Sequence, residues 1–400
     1  MIAFAAHIAS CPSAEDAAHQ AAATALASLE GARPALAIVF ASRSYDDTDR
    51  VSAAVGAELR GVPIAGGTIG GALFDRAGVR QRGVLVALLG GDGVVAMTAT
   101  APITSADMLE SVTAAALVAR DADRAARAGF EEALCVTFAP AGLVDGEALV
   151  AAVRKGTGAR MQLAGALTGG ASPFDRPRVF VRDGELSDHV VLAGVFTRTP
   201  VGVAARHGCR PASSPRVVTR SEGAWLLELD GRPALERLLV DISAAHGRSV
   251  AADDLLESPA NRYVLGLDVP SHVEPLLRCP MVVRSDGSVR LAASLSEGTR
   301  VTLMHAQASD MLEAAQWAGS LAHERASHQA VGGLVLTCHK RLVRLEDRFP
   351  LEPAAISRAL GAPVAGACVF GEIARGRREI DAFHNMTAVV IAWPKDARAR

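Results

Sequence analysis

The sequence predicts an α/β protein with mixed sheets flanked by helices, divided into two domains of two similar units each. Three observations lead to this prediction. The chain has 400 residues, half of them hydrophobic and only 4% aromatic, which favours two or more domains with cores of small aliphatic side chains. Apolar runs of strand length alternate with helical stretches along the chain. One pattern of strand, helix and glycine-rich strand also recurs.

The recurring unit is found at three places. An apolar strand begins each copy, at residues 35–40, 133–138 and 334–337, and a helical stretch follows it. A glycine-rich segment comes about thirty residues after the strand, a period typical of duplicated structural units. It contains two glycines five positions apart in every copy: Gly66 and Gly71, Gly165 and Gly170, and Gly366 and Gly371. Matched glycines behind matched strands predict an internal duplication.

A fourth, degenerate copy is expected near Gly266. The first glycines of the three copies leave one gap of double length, and its midpoint falls in the strand-like run RYVLGLDVP, residues 262–270. Ser271 stands where the second glycine is expected. Each unit continues with two strands joined by a glycine-containing turn, at residues 84–98, 179–196 and 281–293, which predicts antiparallel hairpins. Long helices over 106–128 and 309–327 are expected to close the units.

Pairing the units predicts a first domain over 1–212, a second over 213–394 and a solvated tail over 395–400. The boundary lies in HGCRPASSPR, residues 207–216, where Pro and Ser are concentrated between strand-like runs. Because no output domain follows the second domain, we expect a signal to leave through a partner protein.

Charge and cysteine content exclude several classes of protein. Acidic residues (43) and basic residues (41) nearly balance, so the formal net charge of −2 creates no field toward nucleic acid. No apolar stretch approaches the ~20 residues that a helix needs to cross a bilayer. The six cysteines form no CxxC or CxxH pair, which is typical of reduced thiols in a cytoplasmic protein.

The motifs of common enzyme classes are absent. The sequence contains no GxxxxGK[ST] phosphate loop, no GxGxxG dinucleotide motif and no GxSxG nucleophile elbow. His323-Glu324 begins like a zinc-protease helix, but the next histidine is His328, at i+5 rather than i+4. The two imidazoles therefore point to different faces of a helix, and we interpret this segment as a solvated helix end.

Polar residues collect instead at strand ends around the glycine-rich segments. A basic turn over residues 375–378 predicts that its flanks pair as a hairpin, which would bring Glu372 and His384 together. Ligands of α/β proteins bind at strand ends, so these positions predict a ligand cleft. The candidate residues from this pattern are Thr68, Thr168, Cys338, Glu372, His384 and Asn385.

At these residues the sequence resembles the FIST family. CHKR, GAPVAGACVFGEI and FHNMTAVVIAW resemble the C-terminal FIST domain, and VPIAGGTIGG and AGALTGGASPFD resemble the N-terminal one, over about 30–394. The resemblance implies a sensory unit for small ligands. FIST proteins often carry an aromatic residue at 367–369, where this chain has Ala-Cys-Val, and the smaller residues would reshape the pocket. The site residues that the resemblance implies are Cys338, Arg341, Gly366, Glu372, His384 and Asn385.

Two functions remain open at this stage. The preferred one is a binding module for a small molecule, an amino acid or a carboxylate, in which Arg341 pairs with a ligand carboxylate and Glu372 with an amino group. The N–H groups of the glycine-rich segments would bind the remaining oxygens. The alternative is an enzyme that acts on a small carbonyl or amino-acid-like substrate, with Cys338 as nucleophile, His384 as base and Glu372 as its orienting partner.

Haem is a further alternative, because some members of the FIST family bind it and sense nitric oxide. An axial ligand would have to be a buried histidine at a strand end, and His305 and His207 are the two candidates. The chain has only two Tyr and three Trp to line a porphyrin. We therefore expect no cofactor and no metal.

Overall fold

The computed structural model describes residues 1–104, 108–170, 175–251, 262–269, 274–374 and 382–395. Ser271, the predicted basic turn at 375–378 and most of the predicted tail lie outside these ranges. Mixed sheets flanked by helices confirm the predicted α/β class. None of the described helices is both long enough and apolar enough to span a membrane.

The first unit forms a mixed sheet. Strands β2 and β3 run parallel, β6 is antiparallel to β2 on its other side, and β1 is antiparallel to β6. Helix α1 starts at a capped position, because the Ser13 side chain accepts a hydrogen bond from the Asp16 N–H. In chain order the elements are β1 (Ala3–Ala9), α1 (Ala14–Ala27), β2 (Pro34–Ser42), a 3-10 turn (Thr48–Arg50), α2 (Val51–Glu58), β3 (Ile64–Ile69), β4 (Leu73–Asp75), β5 (Gly78–Arg80) and β6 (Val84–Gly90).

The second unit repeats this arrangement. Strands β8 and β9 are parallel, β12 is antiparallel to β8, and β7 is antiparallel to β12. Asp145 caps α4 by accepting hydrogen bonds from the N–H groups of Glu147 and Ala148. Its elements are β7 (Val94–Pro102), α3 (Leu109–Arg127), β8 (Glu132–Pro140), α4 (Gly146–Thr157), β9 (Gln162–Thr168), β10 (Val179–Val181), β11 (Gly184–Leu186) and β12 (His189–Thr197).

The prediction of a fourth copy of the unit near Gly266 is wrong. The strand that contains Gly266, β18, pairs antiparallel with β19 and β22, with no parallel partner in the described part of the sheet. A Cβ at Gly266 would meet the Met304 side chain instead of a neighbouring strand's carbonyl. This region is therefore an antiparallel sheet inserted after β13 (Gly202–Arg206). It consists of β14 (Arg210–Pro211), β15 (Arg216–Glu222), β16 (Trp225–Leu229), β17 (Arg232–Pro233), α5 (Ala234–His246), β18 (Tyr263–Leu267), β19 (Leu276–Arg278), β20 (Pro280–Val283), β21 (Val289–Leu291) and β22 (Arg300–His305).

The third unit returns to the repeated arrangement. Strands β23 and β24 are parallel, β27 is antiparallel to β23, and β13 is antiparallel to β27. A short helix that the other two units lack follows β23 directly. The elements are α6 (Ala308–Arg325), β23 (Ala330–Cys338), α7 (His339–Leu345), a 3-10 turn (Glu346–Arg348), α8 (Leu351–Leu360), β24 (Val364–Val369), β25 (Glu372–Ala374), β26 (Ala382–His384) and β27 (Ala388–Pro394).

The strands predicted to form hairpins at 84–98 and 179–196 do not pair with each other: β6 pairs with β1 and β2, and β12 pairs with β7 and β8. Other hairpins are present, and each unit places one on the sheet of another unit. The hairpin β4–β5 of the first unit pairs with β24, β10–β11 of the second pairs with β3, and β25–β26 of the third pairs with β9. The exchange is cyclic, so each of the three mixed sheets is completed by a different unit. Glu372 lies opposite His384 in the last hairpin, which confirms the predicted pairing.

The inner faces of the three mixed sheets share one core. Phe40 of the first sheet meets Phe138 of the second edge to face, with 5.5 Å between ring centroids, and Leu336 of the third packs in the same cluster. Helices cover the outer faces: α1 and α2 on the first sheet, α3 and α4 on the second, α6 and α8 on the third. The strand ends of all three units therefore approach one another.

The repeated glycines have one structural role. A Cβ at Gly66, Gly165 or Gly366 would lie within 2.0 Å of the carbonyl oxygen of the residue opposite on the parallel strand, respectively Val39, Thr137 and Val335. Only glycine allows this approach of two backbones. The shared contact confirms the predicted duplication for three units.

Candidate functional site

Three of the predicted site residues meet where the third unit's strands end. Cys338 is the last residue of β23, Glu372 is the first of β25, and His384 is the last of β26. All are buried, with exposures of 4% for Cys338, 0% for Glu372 and 8% for His384. Together with His339 and Lys340, which begin α7, they form a group that we call the Cys338 cluster.

Burial raises the pKa of the Cys338 thiol well above its usual value, and the charge of Glu372 and the neighbouring Cys279 raise it further. The main-chain N–H groups of Met386 and Lys340 oppose the shift without reversing it. A thiol needs to ionise before it attacks a carbonyl, so this environment opposes the hypothesis of a cysteine nucleophile.

Glu372 lies in the same environment. Burial raises the pKa of its carboxyl well above the usual range, while the Thr387 N–H, the Cys338 thiol and the charge of Arg341 lower it. Its Oε2 accepts a hydrogen bond of 3.3 Å from the Thr387 N–H. Its Oε1 is buried and has no hydrogen-bond partner in the part of the chain that the structure describes. The site therefore favours a protonated carboxyl with one unused oxygen.

His339 and Lys340 were not among the predicted site residues. The Nζ atom of Lys340 and the Nδ1 atom of His339 are buried, and neither has a hydrogen-bond partner among the described residues. The His339 ring stacks on Phe370 at 5.0 Å between centroids, and burial lowers its pKa. A signal was present in the sequence: Lys340 is one of three lysines in a chain whose basic residues are otherwise arginine.

Arg341 is not available to a ligand, contrary to the predicted carboxylate contact. Its Nε donates to Glu352 at 2.8 Å, and its Nη2 donates to the Met311 carbonyl at 2.8 Å and lies 2.6 Å from Glu352. Its Nη1 donates to the carbonyls of His207 and Met386 at 2.9 and 3.0 Å. A guanidinium has five N–H groups, so all of them are used by the protein itself.

The remaining predicted residues have structural contacts. Asn385 accepts from the Cys279 N–H at 3.3 Å and donates to the His384 carbonyl at 3.0 Å. Thr68 accepts from the Arg178 N–H at 3.0 Å, and Thr168 donates to the Ala139 carbonyl at 3.3 Å. Thr68 also joins the first and second sheets, because its carbonyl accepts from the Gly169 N–H at 2.9 Å. Gly366 packs closely against β23 and offers no side chain to a ligand.

The two histidines considered for haem do not fit that role. Both ring nitrogens of His207 have main-chain partners: Nδ1 accepts from the Cys209 N–H at 2.8 Å, and Nε2 lies 3.1 Å from the Pro275 carbonyl. Haem needs an apolar cavity, but the cavity that His305 lines also contains three arginines. The described residues also contain no group of three or more His, Cys, Asp or Glu side chains suited to a metal.

The side chains of Cys338, Glu372 and His384 are less than one-tenth exposed, whereas His339 and Lys340 are partly exposed. Cavities of about 600, 320 and 660 Å³ open elsewhere among the described residues, and none of these is lined by Cys338, Lys340 or Glu372. A small molecule that contacts the Cys338 or Glu372 side chain therefore has to displace some of the structure that buries them.

Two family models together match most of the chain. The FIST N domain model matches residues 35–232, and the FIST C domain model matches residues 234–375. The chain belongs to the FIST family. FIST domains are sensory domains that bind small ligands, and the Cys338 cluster lies around the part that matches the FIST C domain.

Sequence relatives of this FIST protein include uncharacterized proteins of Mycobacterium tuberculosis. One is 27% identical over 201 residues, 47% of this chain and 49% of the relative; another is 29% identical over 178 residues, 42% of this chain and 44% of the relative. The chain thus spans about half the length of these relatives. A cyanuric acid hydrolase from A. caulinodans aligns over 99% of the chain and 100% of its own length at 11% identity, with a TM-score of 0.34. Nothing about this chain's chemistry follows from that value.

Proposed function

We propose that this protein is a sensory module that binds a small carboxylate or amino acid at the Cys338 cluster and signals through a partner protein. The observation that supports this is the pair of buried atoms that lack a partner among the described residues, Nζ of Lys340 and Oε1 of Glu372. Buried polar groups are almost always hydrogen-bonded, and a buried charge is normally paired. A ligand that pairs with both atoms would remove the free-energy cost of burying the Glu372 oxygen and the Lys340 ammonium without partners.

The two groups favour a carboxylate. The Lys340 ammonium carries three donors and no acceptor, and the protonated Glu372 carboxyl also donates. Both therefore suit an anionic oxygen of the ligand. Lys340 takes the part that the sequence pattern predicted for Arg341.

Binding would also produce a change of shape. Because Glu372 and Cys338 are buried, a ligand that contacts them has to displace one of the elements that cover them, and α7 begins beside them. The outer face of this helix carries exposed side chains such as Val343, which is 53% exposed. A displacement of α7 would therefore be visible at the surface, where a partner protein binds.

The test is calorimetric titration of the full chain with amino acids and small mono- and dicarboxylates. We expect one ligand class to bind at one equivalent, and Lys340→Met and Glu372→Leu, which remove the polar atoms, to weaken it at least tenfold. Lys155→Met is the matched control, because it removes an exposed lysine on α4. A flat response to every compound, or equal weakening by Lys155→Met, would contradict the proposal.

A further inference from the structure

A polar cavity lies at the opposite end of α7 from the Cys338 cluster. Its volume is about 320 Å³, within the range of small-molecule sites. Arg262, Arg344 and Arg348 line it together with His305 and the first residues of α6. The cavity shares no lining residue with the Cys338 cluster, so a ligand bound here would be independent of the proposed function.

Among the described residues the three arginines have no acidic partners. In the described ranges none of them has a carboxylate oxygen within 4.0 Å, whereas many other arginines of the chain do. Arg344 donates through Nη2 to the Ala306 carbonyl at 2.8 Å, while its Nε is buried with no hydrogen-bond partner in the same ranges. Glu346 is the one acidic residue in the described lining, which leaves an excess of two positive charges.

The positive charges also act on one another. Burial lowers the pKa of Arg344, and the charge of Arg262 lowers it further. Burial and the same two arginines lower the pKa of His305. Repulsion between guanidinium groups in a shared cavity is relieved when an anion lies between them.

The N-terminus of α6 adds to the positive electrostatic potential that the arginines create in the cavity. The helix runs from Ala308 to Arg325, and Gln307 and Ala308 line the cavity at its N-terminus. Gln307 and Asp310 form a capping box, so part of the first turn is satisfied within the protein. The helix dipole still favours negative charge at this end.

We propose that this cavity binds a phosphoryl group, held between Arg262, Arg344 and Arg348. A phosphate carries between one and two negative charges near neutral pH and presents several acceptor oxygens, which matches the excess charge and the fork geometry of guanidinium groups. A single carboxylate would leave one positive charge unpaired. The volume leaves room for the remainder of a small phosphate ester.

The test is calorimetric titration of the full chain with inorganic phosphate at constant ionic strength. We expect saturable binding at one equivalent and a Kd at least tenfold higher in Arg348→Gln and in Arg344→Gln. Arg348 is exposed, so its variant should retain the fold, as a thermal melt would verify. Arg358→Gln on α8 is the charge-matched control, because Arg358 is exposed and does not line the cavity.

Two further titrations follow. One distinguishes a phosphate ester from free phosphate, and the other tests whether a dicarboxylate binds instead. If adenosine monophosphate competes with phosphate, the site accepts esters; if it does not, the ligand is the free ion, and either result supports a phosphoryl site. Succinate tests a dicarboxylate. The proposal is wrong if succinate binds more tightly than phosphate, if phosphate shows no saturable binding at millimolar concentration, or if Arg358→Gln weakens binding as much as Arg348→Gln.

Discussion

Two buried glutamates of the third unit stand in opposite electrostatic situations. Glu352 accepts hydrogen bonds from the Thr337 hydroxyl at 2.6 Å and from Arg341, which also pairs with it as a salt bridge. Glu372 accepts from the Thr387 N–H at 3.3 Å and has no cation paired with it among the described residues. The first carboxylate is paired with a buried guanidinium, whereas burial raises the pKa of the second well above its usual value. Removal of the charge should therefore have opposite effects at the two positions.

Glu372→Gln is expected to stabilise the protein at high pH. The pKa of Glu372 is raised in the folded state, so the folded chain keeps a proton that the unfolded chain loses above about pH 4.5. Stability of the wild type therefore falls as pH rises through this window, and glutamine avoids the loss. Each unit of the shift contributes about 1.4 kcal/mol. Urea unfolding at pH 4 and pH 8 should show no difference at pH 4 and a more stable variant at pH 8.

Glu352→Gln is the contrasting control. It leaves the Arg341 guanidinium buried with a neutral partner, so we expect a loss of roughly 3–5 kcal/mol at pH 7. The account of Glu372 fails if Glu372→Gln also loses stability at pH 8, or if its effect does not change between the two pH values.

Local patterns predicted part of this site. The pairing of Glu372 with His384 followed from a turn between two strand-like runs, which is a short-range signal. The role of Arg341 did not, because its partners His207, Met311 and Met386 come from distant parts of the chain. No spacing shows that three carbonyls converge on one guanidinium. The rarity of lysine pointed to Lys340, but the absence of a hydrogen-bond partner for its Nζ among the described residues is visible only in the folded structure.

At the scale of elements, the fold repeats one feature: two parallel strands that approach each other closely where one of them has a glycine. The periodic glycines predicted it at three places. The same periodicity was misleading at Gly266, because a spacing does not show whether two strands run parallel or antiparallel. The strand β18 has the expected glycine, yet its partners β19 and β22 are antiparallel.

Gly366→Ala is expected to destabilise the protein by about 3 kcal/mol or more, because the new methyl group would overlap the Val335 carbonyl oxygen and force the backbones apart. Gly56→Ala is the control. Its Cβ would have no neighbour closer than 3.9 Å, and alanine in helix α2 should gain about 0.5–1 kcal/mol. Chemical denaturation of both variants measures the difference. Equal stabilities of Gly366→Ala and the wild type would contradict the role given to these glycines.

At the scale of the whole molecule, the exchanged hairpins connect regions on either side of the predicted domain boundary. The sheet of the third unit needs β4–β5 from the first unit and the neighbouring strand β13. The hairpin β25–β26 in turn needs β9 of the second unit. A fragment of residues 213–400 therefore keeps only one of the two pairing partners of each of β24, β25 and β27.

We expect this fragment to show no cooperative unfolding when it is expressed alone, whereas the full chain unfolds in one main transition. Co-expression with residues 1–212 should restore the transition, because it supplies the missing strands. Circular dichroism during urea unfolding, with a proton NMR spectrum of each sample, makes the comparison. A fragment with a cooperative transition and a dispersed spectrum would show that its sheet is stable without the exchanged strands.

The exchanged hairpins also determine the order in which the chain becomes foldable during synthesis. The hairpin β4–β5 leaves the ribosome early, but the strand β24 that pairs with it is made about 290 residues later. At a translation rate on the order of 5–20 residues per second, that delay amounts to tens of seconds. During this time Leu73 and Phe74, which are buried in the finished protein, have no sheet to join. The hairpin therefore stays without its sheet partner until the last strands of the chain appear.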